Sequence, residues 1–156
     1  MHDPQHFIRF FEIHQWICAN HLKEITDEES RRTPEAGGNS LNWVLGHIVA
    51  SRNDILALLH EPPTWSEVED ASYVRGSDGR STAFRPHSMA ELLDALDRSL
   101  KAIRDKLTKI TPEDLQAATE KGTVGSDLAF LQFHESYHMG QIGYLCRLLG
   151  REGIIR

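Results

Sequence analysis

The sequence predicts an all-α protein, a four-helix bundle with a long connection between its second and third helices. Three observations carry this. Four stretches repeat apolar residues at three- and four-residue spacing. No stretch alternates with period two, so no sheet is expected. Each stretch is about 20 residues, hence about 30 Å of helix, and four such helices bury their apolar stripes most economically against one another.

The first helix is expected from about Pro4 to Ile25. Pro4 suits a first turn, where its missing N–H has no partner to lose. Phe7, Phe11, His14, Cys18, Leu22 and Ile25 share one face. Thr26 to Asn39 is polar, with Pro34 and Gly37-Gly38, and reads as a loop. The second helix runs from about Ser40 to His60, capped by Asn39 or Ser40 and ended by Pro62-Pro63. Leu41, Val44, Leu45, Ile48, Ile55, Leu56 and Leu59 make its apolar face. Residues 61–87 form a connection long enough to suggest a functional or mobile segment, with a helical turn near Trp65. The third helix runs from about Ser88 to Lys109, and Ser88 with Glu91 makes a capping box. A short turn begins at Thr111-Pro112-Glu113. The fourth helix runs from about Ser126 to Leu149, with Gly150 as its stop.

The chain of 156 residues, 40% hydrophobic and 26% charged, fits one globular domain over 1–156. Its net charge of -6 argues against nucleic-acid and anionic-membrane partners, which need a basic surface. No apolar run approaches the ~20 residues of a membrane span. Met1-His2-Asp3-Pro4 lacks the basic start of a secretory signal. Cys18 and Cys146 read as two reduced core thiols. The expectation is a soluble, cytoplasmic protein.

Nine histidines are the unusual feature of the composition. Two stand in His134-Glu135-Ser136-Tyr137-His138, one turn apart on one helix face. Both imidazoles can then reach one divalent ion at about 2.1 Å. By angle, Phe130, Leu131, Gln141, Leu145 and Leu148 lie near the pair, which points along an apolar stripe into the bundle. Buried imidazoles need partners for every ring nitrogen, and a metal supplies one. A third ligand must come from another helix. His14 and His47 are both placed for it, with His21, His60 and His87 less well placed, and spacing alone does not choose. Gly46, beside His47, lets another group approach closely. The plain reading of His14 is a core histidine bonded to a carbonyl.

The same string is a literal H-E-x-x-H, the zinc-protease signature. Its context does not fit: no strands are expected, and Gln141 and Tyr144 stand where the extended signature needs Gly and His. Glu135 can still serve as general base to a metal-bound water, or be a solvated surface carboxylate.

Asn39-Ser40-Leu41-Asn42-Trp43-Val44-Leu45-Gly46-His47 resembles the second-helix motif of the DinB/YfiT-like superfamily. Phe133-His134-Glu135-Ser136-Tyr137-His138-Met139-Gly140-Gln141-Ile142 resembles its fourth-helix motif. Helix order and the long connection also match, so the resemblance covers nearly the whole chain. It implies a four-helix bundle in which His47, His134 and His138 hold a divalent metal, and it ranks His47 above His14. It also implies, for some members, S-transferase or isomerase activity with a low-molecular-weight thiol, and common homodimers.

Three neutral imidazoles leave an ion its full charge and an open position, where a water or thiol is acidified. Zinc or nickel is the expected ion, with iron or manganese also suited to imidazole. Near the site, Trp43 and Asp54 flank the His47 face, and Gln141 can bond a ligand nitrogen or a substrate. Asp54 can orient a ligand or pair with Arg52 or another surface cation. Tyr137 is expected to pack away from the pair. As a lid, the 61–87 connection can offer Tyr73, Arg75, Arg80 and Arg85 to a carboxylate-bearing substrate, or be a solvated loop of mixed charge. The functional expectation is a metal-dependent small-molecule enzyme, a thiol-dependent S-transferase or related hydrolase. Its rivals are a non-catalytic metal-binding stress-response protein, a dimerising interaction module and, least, an H-E-x-x-H hydrolase.

Overall fold

A computed structural model describes residues 2–152, and the described chain is all-helical, without a strand. Four long helices, α1 (Pro4–His21), α3 (Leu41–Leu58), α5 (Met89–Leu107) and α6 (Val124–Leu148), are joined by segments holding two single-turn helices, α2 (Asp27–Ser30) and α4 (Glu67–Asp70), and a 3-10 turn at Asp114–Gln116. None of these helices is long and apolar enough to cross a membrane.

Local chemistry sets the ends. Asp3 caps α1 through Gln5 N, with Pro4 in the first turn. Ser40 caps α3 through Trp43 N, and Ser88 and Glu91 close the expected capping box on α5. Two boundaries differ from expectation. The first helix stops at His21 because the chain turns and restarts: Thr26 and Glu29 form a capping box for α2 inside a segment that reads as loop. Thr123, paired with Ser126, starts α6 two residues before Ser126.

The long helices pack in a ring, α1 on α5, α5 on α3, α3 on α6 and α6 on α1. His14 meets Glu135 and Cys18 meets Met139, so α1 and α6 run parallel. Leu45, Ile48, Leu92 and Leu96 share one apolar cluster, while Leu56, Leu59, Ile103 and Leu107 share another, so α3 and α5 also run parallel. Parallel neighbours cannot be joined by a tight turn. Residues 61–87 are long because the chain must travel back down a helix of about 27 Å before α5 can begin.

The two apolar clusters are divided by a buried polar layer. Its centre is Arg52 on α3, fully buried and in contact with every other long helix. Nε and Nη2 donate to Glu135 of α6 at 3.0 and 2.7 Å. Nη1 donates to Gln15 of α1 at 3.3 Å and to Leu96 O and Ser99 Oγ of α5 at 2.9 and 3.1 Å. Gln15 in turn donates to Asp97. Glu135, 1% exposed, also accepts from His14 Nδ1 at 3.0 Å, and Ser136 Oγ lies 3.1 Å from His14 Nε2. Glu135 is therefore not a solvated carboxylate, Arg52 is not a surface cation for Asp54, and the partner of His14 is a carboxylate rather than a carbonyl. Burial alone would raise the Glu135 carboxyl, but Arg52 and His14 hold it down at about 2.

A carboxyl depressed from 4.5 to about 2 contributes stability that is present above pH 4.5 and lost as pH falls toward 2. Denaturant titrations of the protein should show that loss in this window. Arg52→Met should cost about 3–5 kcal/mol by stranding a buried carboxylate. Adding Glu135→Leu should recover part of the loss and flatten the acid dependence. An Arg52→Met variant as stable as the native chain would show that the pair does not anchor the bundle.

Candidate metal centre

His47, His134 and His138 come together on the facing sides of α3 and α6. Their nearest ring nitrogens all lie within 4.8 Å of one another. The rings meet edge to face, with centroids 5.1 Å apart for His47 and His134, 4.9 Å for His47 and His138, and 4.5 Å for His134 and His138. The other candidate third ligand, His14, lies in the polar layer against Glu135. His21, His60 and His87 are not in the cluster, and His87 stacks on Trp65.

The surroundings fix which nitrogen faces inward. His47 Nδ1 donates to the carbonyl of Tyr73 at 2.6 Å, and His138 Nδ1 donates to Gln141 Oε1 at 2.8 Å. Both Nε2 atoms then carry lone pairs. His138 Nε2 sits 3.1 Å from His134 Nε2, and His134 Nδ1 is buried without a hydrogen-bond partner. Converging lone pairs at this distance repel unless a proton or a cation lies among them. Burial lowers the pKa of all three imidazoles, that of His138 to about 4, so they stay neutral donors at ordinary pH. Neutral imidazole with its second nitrogen hydrogen-bonded is the form that binds metal. The donor set is compatible with a divalent ion, without selecting which one.

Further groups hold this arrangement. Trp43 stacks on His47 at 4.7 Å and 16°, and its Nε1 donates to Ser77 Oγ at 3.0 Å. Tyr73, fully buried, packs its ring against Gly46, where a Cβ would collide with it. Its hydroxyl donates to Asn42 Oδ1 at 3.0 Å and accepts from His87 N at 2.7 Å. Asn53 pins the same connection by accepting from Thr64 N and donating to Trp65 O and Asp70 Oδ2. Residues 61–87 are thus strapped to α3 along its length, and Gly46 is the notch through which the strap delivers its carbonyl to His47. Arg80 pairs with Asp78, and Arg85 donates to the carbonyls of Thr82 and Phe84. Of the three arginines in the strap, Arg75 alone lines the histidine cavity.

That cavity, about 870 Å³, opens beside the three histidines. Asp54, Asp70, Asp127, Arg75 and Lys121 line it with Leu58, Val74, Phe130, Leu131 and Tyr137. Burial raises the Asp54 carboxyl, partly offset by His134, His47 and Lys121. It also raises Asp70, whose Oδ1 is buried without a partner. Gln141 Oε1 bonds His138 Nδ1, and its Nε2 donates to Tyr137 OH at 3.1 Å. Tyr137 is 58% exposed at the cavity rather than packed away from the pair. The histidine stripe also differs from expectation: Phe130 and Leu148 on it are largely exposed, and the deepest face of α6 is Leu128, Glu135, Met139, Ile142 and Cys146. The histidines occupy the flank that looks toward α3. Glu135 does not line the cavity, and both its oxygens are engaged by Arg52 and His14, so this geometry gives it a structural part instead of the expected general-base one. Cys18 and Cys146 are buried, and burial pushes the Cys18 thiol up to about 12, which keeps it unreactive.

A sequence profile described as the DinB superfamily matches residues 11–142. The chain belongs to this superfamily. A crystal structure of a conserved protein from Enterococcus faecalis has the same fold, with a TM-score of 0.73 at 22% identity, covering 97% of this chain and 99% of that one. No curated protein matches the chain. Membership of the DinB superfamily agrees with the helical architecture and with the three-histidine cluster, and neither fixes a reaction.

His134→Ala or His138→Ala should remove most bound metal, measured as affinity by competition with a chelator. His14→Ala should leave that affinity unchanged while lowering the melting temperature. Gly46→Ala should weaken metal binding by roughly 10–100-fold, the usual effect of losing an outer-shell contact, because the Cβ displaces Tyr73 and its carbonyl from His47. Native affinity in folded Gly46→Ala would show that the strap plays no part in the site.

Proposed function

We propose that this protein is a divalent-metal enzyme acting on a small molecule, with transfer of a thiol to a soft electrophile as its reaction class. The observation that carries this reading is the pairing of three neutral, hydrogen-bond-oriented imidazoles with an open cavity of about 870 Å³. A site meant only to brace the bundle would be closed by protein donors. His47, His134 and His138 are the residues that would hold the ion, zinc or nickel being the best match and iron or manganese the next. A divalent ion on three neutral ligands supplies Lewis acidity, lowering the pKa of a water or thiol that reaches it.

The chain's own residues do the rest. Tyr73 O and Gln141 fix the tautomers of His47 and His138. Trp43 covers the face of His47 and excludes water from that side. Asp54, Asp70 and Asp127 are the carboxyls at the cavity wall, and Asp70 Oδ1 is the buried carboxylate oxygen without a partner, free to hold a proton. Elemental analysis of purified protein should find a divalent metal in stoichiometric amount. Thiol-consumption assays with a panel of electrophiles should then show turnover that is lost in His134→Ala. Full metal occupancy with no thiol consumed by any electrophile would support the rival reading of a non-catalytic metal-binding protein.

We also infer that the protein forms a homodimer through the outward faces of α1 and α6. Phe10, Ile13 and Trp16 on α1 and Phe133, Tyr137 and Tyr144 on α6 are all more than a third exposed. Aromatic residues of this density mark interface cores, and a two-fold pair is the default assembly for a soluble chain. Sedimentation at micromolar concentration should give twice 17.7 kDa. Trp16→Glu with Phe133→Glu should give monomers that keep their metal. A native chain that sediments only as a monomer would remove this assignment.

A further inference from the structure

We propose that the cavity beside the three histidines takes an organic anion whose carboxylate is held by Arg75. This deepens the functional reading above, since the anion would occupy the cavity assigned there to the substrate.

Two cations stand on the cavity wall. Arg75 and Lys121 are the two basic residues lining it. Lys121 makes no ion pair among the described residues, but its ammonium is a compact point charge, whereas Arg75 carries a planar fork. Arg75 has no ion-pair partner among the described residues, in contrast to Arg80 on Asp78 in the same strap. A guanidinium on a cavity wall and lacking a protein carboxylate suits a planar, bidentate acid.

The rest of the wall sets the orientation. Asp54, Asp70 and Asp127 repel an anionic group elsewhere in the cavity, which leaves the Arg75 side as the place where a carboxylate is attracted. Leu58, Val74, Leu131, Phe130 and Tyr137 give the body of the ligand an apolar bed. The ligand class is therefore a small acid with an apolar or thioether-like body, its reacting end toward the histidines. Arg75 is anchored for this task from both sides: Tyr73 is fixed over Gly46, and Ser77 is tied to Trp43 and to Ser72 O.

The test uses the cobalt(II)-loaded protein and two probes, 3-mercaptopropionate and its uncharged methyl ester. Calorimetry measures the ratio of their affinities, and the visible spectrum of the cobalt reports whether sulfur reaches the ion. The acid should bind the native protein at least about tenfold more tightly than the ester, the range of a charge-assisted hydrogen bond. Arg75→Gln should bring the ratio close to one without lowering the melting temperature, and Arg80→Gln should keep it. A ratio unchanged by Arg75→Gln, or one abolished by Lys121→Gln instead, would overturn the proposal. The two readouts separate the claims. An Arg75-dependent ratio with a silent cobalt spectrum upholds the carboxylate site and counts against thiol chemistry. A cobalt–sulfur band with an Arg75-independent ratio does the reverse.

Discussion

The buried ion pair between Arg52 and Glu135 is the constraint on which the rest of the structure rests. One guanidinium on α3 reaches α1, α5 and α6 at once, and its bidentate contact with Glu135 fixes the rotation of α3 and α6 about their own axes. Neither helix can turn without breaking it. A charge pair without water has few arrangements available, because every unsatisfied proton or lone pair carries a desolvation cost. The apolar clusters above and below tolerate small slips in packing; the polar layer does not.

The three-histidine cluster inherits that rigidity. His134 and Glu135 are consecutive, so they point about 100° apart around α6. When Glu135 is locked toward the bundle axis, His134 and His138 must face the groove against α3. On α3, Arg52 locks the same rotation, and His47 is brought to meet them. The strap over Gly46 then removes the last freedom by holding His47 Nδ1. Two separate devices, one inside the bundle and one outside, converge on the same three nitrogens.

Much of this was legible in the sequence. Periodicity and capping residues locate the four long helices, and the i, i+4 spacing finds His134 and His138. The resemblance to the family motif is what singled out His47, since His14 occupies an equally apolar stripe. The partner of His14 is hidden in the sequence for a simple reason: Glu135 stands inside a metalloprotease-like string, and its neighbours on the axis lie 83 and 121 residues away in the chain. A signal was present. Arg52 falls between Ile48 and Ile55 on one apolar stripe, and Glu135 between Leu128 and Met139 on another. Opposite charges, each alone on a core face, point to each other. The arrangement of the strap was not legible, because the Tyr73 carbonyl contact is a backbone event with no residue preference, and only Gly46 hinted at close approach.

The cavity wall is drawn from residues 47–75 and 121–138, so α1 and α5 contribute no side chain to it. Two long helices and the strap shape the cavity, and the other two long helices act as scaffold. Substitutions on the inward faces of α1 and α5 bear on stability, while those on the facing side of α3, the strap and α6 can change what the cavity accepts with little change to the core. Such a division lets the lining of the cavity drift without the fold first being rebuilt, and it separates the evolutionary fates of framework and of cavity within a single short chain.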